Sequence, residues 1–194
     1  MPDALVPRLE TDRLILTTLG PEHADRVAAF YADNREFHRP WFPPAPEGGY
    51  SETFWRERLV AAHDEVRLGV SVRFHLLPHE DPDAGAVLGV ANFTQIVRGP
   101  FQACYLGYAL AERAEGHGLM REALATAIPW VTATRRLHRI MANYVPWNRR
   151  SGNLLRRLGF SVEGYARDYL YIDGAWCDHV LTSYTNTEME SPDG

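Results

Sequence analysis

The chain has 194 residues, 45% of them hydrophobic and 23% charged, which suits one domain with its own core. No apolar run approaches the ~20 residues that cross a bilayer, which argues against membrane insertion. A net charge of −5, from 20 Lys+Arg against 25 Asp+Glu, argues against a partner held mainly through nucleic-acid phosphates and suits basic polypeptide partners.

The start, Met1 to Arg8, lacks the cationic and apolar blocks of a signal peptide. Cys104 and Cys177 stand outside metal or redox spacing, so reduced thiols and a cytoplasmic chain are expected. Alternation over Arg8 to Thr18 predicts a first strand, and Glu22 to Asp33 a helix with Ala24, Val27, Ala28 and Tyr31 on one face. A Pro/Gly-rich loop covers 40–49, and Ser51 caps a helix running to about His63. Arg67 to Leu77 and Val87 to Val97 are β-prone, joined by a turn-rich link in which Pro78 breaks any helical spacing between His75, His79 and Glu80. No metal site is expected there. A third β-prone run, Ala103 to Leu110, is followed by Leu119, Met120, Ala123, Leu124, Ala127, Ile128 and Val131 at helical spacing to about Thr134. Pro129 falls inside that helix and is expected to kink or end it, at a cost of ~3 kcal/mol. A strand at 138–145, a short helix at 149–158 and strands near 160–171 and 176–184 complete one domain over 1–187, with a disordered tail at 188–194. Neighbours on a strand point to opposite faces, so Cys177-Asp178-His179 is not a catalytic triad.

Between the third strand and its helix lies Arg113-Ala-Glu-Gly-His-Gly-Leu-Met-Arg. Glycines at 116 and 118 permit left-handed angles, so several N–H groups can converge on one anion at the helix N-terminus. The Walker pattern is absent, and Arg121 stands where Gly-x-Gly-x-x-Gly needs its third glycine. A second block, Asn148-Arg-Arg-Ser151, opens the helix carrying Leu154, Leu155 and Leu158, stopped by Gly159.

Arg113-x-x-Gly116-x-Gly118 resembles the pyrophosphate loop of the GNAT acetyltransferase superfamily. The segments Gly89-Val-Ala-Asn-Phe, Cys104-Tyr-Leu-Gly-Tyr, His138-Arg-Ile-Met-Ala-Asn-Tyr, Asn148-x-x-Ser151-Gly, Glu163-Gly-Tyr-Ala and Asp178-His-Val-Leu are similar to those of its RimJ/RimL-type ribosomal-protein-alanine N-acetyltransferases. The likeness spans roughly Arg8 to Thr185. It implies an α/β (α+β) GNAT fold, a mixed, mostly antiparallel sheet of about seven strands flanked by four helices, splayed to admit acetyl-CoA. It further implies acetyl-CoA (coenzyme A) as co-substrate, no metal, and as acceptor a protein N-terminus beginning with Ala or another small residue, most simply a ribosomal one. A small-molecule amine acceptor, or a ribosome-assembly protein that keeps the fold, are the competing readings. Monomer and homodimer both remain open.

By the same resemblance Leu110, Arg113, Gly116, His117, Gly118, Leu119, Met120, Asn148 and Ser151 contact the cofactor, with the Leu110 N–H facing the acetyl oxygen. Many superfamily members place a tyrosine where this chain has Leu155, so Ser151 takes the departing thiolate; helix capping is its alternative role. Asp168 matches the proposed base, with Glu163 and Glu112 in reserve, although carboxylates are weak bases and an α-amine needs only modest help. Trp41 and Phe42, with Glu112 and Glu163, are the expected substrate contacts; the two rings serve equally to pack their loop down.

Overall fold

The computed structural model describes residues 6–189; the readings of 1–5 and of the tail at 190–194 lie outside the described residues. In chain order the elements are β1 (Arg8–Glu10), β2 (Leu14–Thr17), α1 (Ala24–Asp33), α2 (Arg35–His38), α3 (Glu52–Leu68), β3 (Val72–Pro78), β4 (Gly89–Val97), β5 (Ala103–Leu110), α4 (Leu119–Thr134), β6 (Arg139–Met141), α5 (Arg149–Arg157), β7 (Ser161–Ile172) and β8 (Ala175–Thr185). One sheet runs β1-β2-β3-β4-β5-β6-β8-β7, antiparallel throughout except for β5 beside β6. That parallel pair needs a crossover, and α4 supplies it.

Strand alternation sends side chains to two cores. Leu14, Leu16, Phe74, Phe93 and Ile140 meet Leu124, Ile128 and Val131 of α4 on one face. Ile15 and Leu77 meet Val27, Phe30 and Leu59 of α1 and α3 on the other. Among the described residues no helix is long and apolar enough to cross a membrane.

The α/β class and mixed sheet match expectation, with local corrections. The run from Arg8 to Thr18 is two strands, because Thr11 makes a turn: its hydroxyl accepts from the Leu14 N–H at 2.9 Å and its own N–H donates to the Leu14 carbonyl at 2.9 Å. Eight strands result instead of about seven. α3 continues past His63 to Leu68, where Gly69 at φ +73° closes it, and β3 therefore starts at Val72. Pro129 neither ends nor interrupts α4. The strand expected over 138–145 shortens to Arg139–Met141, followed by one bridge from Tyr144 to Val180, because past Tyr105 the chain leaves β5 and stays with β8.

Candidate active site

β5 pairs with β6 only from Ala103 to Tyr105, opposite Arg139 to Met141. Beyond Tyr105 the two strands part, so Leu106 to Leu110 form one wall of a gap and the 142–145 segment the other. Ala111 donates to the Leu88 carbonyl at 2.8 Å, and hydrogen-bonded and non-hydrogen-bonded pairs alternate along an antiparallel ladder. Leu110, one position earlier and opposite Gly89, thus turns its N–H and C=O away from β4, toward the gap. Its carbonyl accepts from His38 Nε2 at 2.8 Å. A carbonyl can only accept, so Nε2 carries the proton; burial lowers the His38 pKa and favours the neutral ring. Asn34 adds a second tie, its Oδ1 accepting from the Glu112 N–H at 2.8 Å.

From Leu110 the chain enters the glycine loop. Gly116 and Gly118 have φ of +80° and +75°, and a Cβ on Gly116 would meet nothing within 4 Å. The loop face is open, and Leu119 and Met120 begin α4 behind it. Arg13 braces the loop by donating to the His117 carbonyl at 3.0 Å while its Nη2 pairs with Glu122 in the first turn of α4 at 2.6 Å. Glu122 also accepts from the Thr11 hydroxyl at 2.5 Å. Arg150 at the start of α5 pairs with Glu115, which links the loop to the far wall of the gap. Left-handed glycines on a braced, exposed loop at a sixteen-residue helix's N-terminus fit a pyrophosphate. Arg113 sits exposed in the single turn Glu112–Ala114 before the loop.

Across the gap Asn148 caps α5, its Oδ1 accepting from the Ser151 N–H at 3.0 Å. Capping therefore falls to Asn148. The Ser151 hydroxyl instead lies 2.7 Å from the Tyr108 hydroxyl of β5. Leu155 is 1% exposed in the core. A Cβ on Gly152 would approach the Tyr144 ring to 2.8 Å, so that ring lies against the α5 backbone beside Ser151. Burial pushes the Tyr108 phenol up to about 12, the Ser151 contact opposing, and keeps it protonated.

On the α1/α3 side of the sheet a cavity of about 660 Å³ opens, and Tyr108 lies in its lining. Gly107 and Asn92, register partners, form part of its floor. Tyr31 stacks on Trp55 with centroids 4.4 Å apart and planes 10° apart, and Arg58 stands beside them. Arg58 is held by Glu65 at 2.9 Å, which also binds Arg73 at 3.0 Å and the Ser71 hydroxyl. Burial alone would raise the Glu65 pKa, but the Ser71, Arg58 and Arg73 hydrogen bonds outweigh it and hold it at about 2. At the mouth Arg39 reaches Asp173 of the β7–β8 turn at 3.3 Å, and Arg35 lies over the Tyr50 ring at 5.2 Å.

The expected site residues separate accordingly. The glycine loop, Leu110, Asn148 and Ser151 gather around the gap. Of the expected aromatic pair Phe42 lines the cavity and Trp41 does not. Glu112 is exposed on the turn after β5, and Glu163 is exposed on β7 in an ion pair with Arg139. Asp168 is also exposed on β7, at φ +48° where the β7–β8 register shifts, with its N–H donating to Asp178 Oδ1 at 2.9 Å. It is not among the cavity residues. Sequence reading missed Tyr108, His38, Tyr31, Trp55, Arg58 and Asn92 as site residues. Their only linear signal was polar or aromatic residues on otherwise apolar faces, as with Tyr31 in α1 and Asn92 in Gly89-Val-Ala-Asn-Phe. Among the described residues no cluster fit to hold a metal occurs.

Comparison with known proteins gives this geometry a family. The acetyltransferase (GNAT) domain matches residues 13–161. The chain is 48% identical over 181 residues to the [ribosomal protein uS5]-alanine N-acetyltransferase of Escherichia coli (strain K12), covering 93% of this chain and 92% of that one. The crystal structure of the ribosomal-protein-S5-alanine acetyltransferase from Vibrio fischeri superposes with a TM-score of 0.90 at 32% identity, covering 95% and 100% of the two chains. Mycobacterium smegmatis RimJ in complex with CoA-disulfide superposes with a TM-score of 0.83 at 25% identity, covering 96% and 89%. With strands parted beside a glycine loop, and with matches running along nearly the whole chain, this protein belongs to the GNAT acetyltransferase family, an N-acetyltransferase of the RimJ/RimL kind.

Proposed function

We propose that the chain transfers an acetyl group from acetyl-CoA to the N-terminal α-amine of a protein, a ribosomal protein beginning with Ala or another small residue, in the cytoplasm. One observation carries the reading: β5 parts from β6 beyond Tyr105, directly before a braced glycine loop with an open face, and Ser151 stands on the far side of that opening within 2.7 Å of Tyr108. Similarity to the uS5-alanine enzyme of Escherichia coli supports the choice of acceptor.

Bound acetyl-CoA supplies an activated thioester. The N–H groups of Gly116 to Met120 hold its pyrophosphate, and the gap takes the pantetheine arm. The Leu110 N–H, turned toward the gap and steadied through the His38 contact to the same residue, donates to the acetyl oxygen, where a preorganised donor is worth several kcal/mol. Ser151 donates to the departing sulfur. An α-amine with a pKa of ~7.7–8.0 is already partly neutral, whereas a lysine at ~10.4 costs about 3.4 kcal/mol more to deprotonate. A cavity walled by Arg35 and Arg58, in which Asp173, the one carboxylate among the described lining residues, is paired to Arg39, offers a lysine little help.

Intact-mass measurement of acetyl transfer to peptides beginning with Ala or Ser, to the same peptides N-terminally blocked but carrying an internal lysine, and to small amines tests the proposal. Free Ala or Ser termini should turn over fastest. Faster transfer to the internal lysine or to a small amine overturns it.

A further inference from the structure

The chain as a whole is acidic, with a net charge of −5, but its cavity has the opposite sign. Arg35, Arg39 and Arg58 line it, against Asp173 as the one carboxylate among the described lining residues. The sheet beneath brings a further cation. Phe74, Ala91 and Phe93 belong to the α4-side core, so their strand neighbours Arg73 and Asn92 point to the opposite face, where the cavity opens. Arg73, Asn92 and Gly107 are register partners across β3, β4 and β5. A Cβ on Gly107 would meet nothing within 4 Å, which leaves the floor open at the end of that row.

Arg58 and Arg73 share a single carboxylate, Glu65, at 2.9 and 3.0 Å. Glu65 is ionised at neutral pH, and two guanidiniums against one carboxylate leave a surplus of one positive charge. Glu65 takes Nη2 of Arg58 and Nε of Arg73, and each fork carries further N–H groups beyond those. Burial pushes the Tyr31 phenol up to about 12, against the Arg73 charge, the Asn92 side-chain contact and the Arg58 charge, so a protonated hydroxyl stands among an amide and two guanidiniums. All four groups can donate. The Tyr31 and Trp55 rings stacked beside them exclude water, which strengthens the pull of these donors on an anion.

We infer that this cluster reads the acceptor: Arg58 and Arg73, with the Tyr31 hydroxyl and the Asn92 amide, bind the carboxylate of an Asp or Glu at the second to fourth residue of the polypeptide whose α-amine is acetylated. The inference rests on the acetyl transfer proposed above, which places the reacting carbonyl at Leu110. Gly107 is three residues along β5 from Leu110, about 10 Å, and Arg73 is two strand spacings across from Gly107, about 10 Å again. The diagonal is about 14 Å, or roughly four residues of extended chain, and side chains reaching from both ends shorten it. A Lys or Arg at the same acceptor positions meets the same surplus charge and is repelled.

The test uses Ala-terminated peptides identical except for one residue, Glu or Gln, at the second, third, fourth or ninth position. At low salt kcat/KM should favour Glu over Gln at least 10-fold at one or more of the first three positions, and by less than about twofold at the ninth. Molar salt should shrink the preference at least threefold. Arg58→Gln should bring the Glu-to-Gln ratio below about threefold, whatever it does to the rate common to both peptides, and Arg58→Lys, which keeps the charge and loses the fork, should fall between. A purely structural role for Arg58 would slow both peptides alike and leave the ratio unmoved. Calorimetric binding of the same peptides to the CoA-bound protein, a readout independent of turnover, should show the same preference. Equal kcat/KM for Glu and Gln at all three positions, or a ratio unchanged in folded Arg58→Gln, overturns the recognition and leaves acetyl transfer standing. Should Arg58→Gln fail to fold, the wild type decides: a preference equally strong at the ninth position, or one that salt does not move, overturns the inference. Transfer to none of the peptides overturns the proposed function instead.

Discussion

Gly118 joins a left-handed backbone, φ +75°, to open space: the Arg13 guanidinium, 3.9 Å from an added Cβ, is its nearest neighbour. A side chain there costs roughly 1–2 kcal/mol of backbone strain without striking the core. Gly118→Trp should therefore fold and lose at least 100-fold in calorimetric affinity for acetyl-CoA; unchanged affinity in the folded variant removes the cradle from the site. Asp168 poses the opposite question. Its left-handed backbone suits asparagine as well as aspartate, and its peptide N–H makes the bond to Asp178. Asp168→Asn thus deletes the charge with little else. With Asp168 exposed on β7 and outside the cavity lining, the single-turnover rate should stay within about threefold of wild type, whereas a loss of 30-fold or more would restore Asp168 as the base. The contrast marks what a linear sequence reveals of a site. Gly116, Gly118, Asn148 and Ser151 lie in short contiguous segments whose backbone demands are visible in their spacing. Tyr108 and Ser151 are 43 positions apart, and His38 and Leu110 are 72 apart. Each pair meets only because β5 is the strand at which the sheet opens.

Among the elements, those defined by apolar periodicity and a strong stop were legible in outline, and those defined by tertiary contacts were not. The two glycine stops at 69 and 159 close α3 and the turn after α5, but the run after His63 is weakly amphipathic and only Gly69 shows that the helix continues. The splay of β5 from β6 has no local signature, because residues 142–145 keep their β-prone composition while pairing with β8. α4 illustrates the conflict best. Pro129 cannot donate to the Ala125 carbonyl, yet the helix runs unbroken from Leu119 to Thr134. Seven residues of that helix are buried against the sheet, among them Leu124, Ile128 and Val131, and their burial outweighs one lost bond at roughly 1.5–3 kcal/mol for each large side chain. The Thr132 hydroxyl also donates to the Ile128 and Pro129 carbonyls at 3.0 Å each. Pro129 itself is exposed, so its removal disturbs no packing. Pro129→Ala should stabilise the fold by about 1–3 kcal/mol, the ~3 kcal/mol helix penalty being offset in part by the wider freedom of the unfolded chain. Urea denaturation checks this, and a lower midpoint with unchanged m-value would mean the helix depends on its proline.

On the scale of the whole molecule, the buried polar groups that brace the sheet also make it sensitive to acid. His75 is 4% exposed; its Nδ1 accepts from the Leu19 N–H at 3.2 Å. Burial lowers its pKa to about 4, against the hydrogen bond to Thr17. Above 6.5 the folded and unfolded chains both carry a neutral imidazole. Between 6.5 and 4 the unfolded chain binds a proton that the folded chain refuses, so stability falls as pH falls, by up to about 3 kcal/mol. His38, whose pKa is also lowered by burial, adds to the same slope. Glu65 acts in a lower window. Held at about 2 in the fold against 4.5 otherwise, it contributes stability that is present above 4.5 and lost between 4.5 and 2, as the ties to Arg58, Arg73 and Ser71 are protonated away. Acid should therefore weaken the protein in two steps, the first set by imidazoles and the second by a carboxylate. His75→Asn separates them, because the amide oxygen can take over the Leu19 N–H and cannot be protonated in this range. Thermal melts at pH 7, 5.5 and 4.5 should show the wild-type melting temperature falling across the series and the variant falling much less, with the steep loss below 4.5 common to both. Parallel curves from pH 7 to 4.5 would place the first step in another group and leave His75 with only its hydrogen bonds to β2 and Leu19.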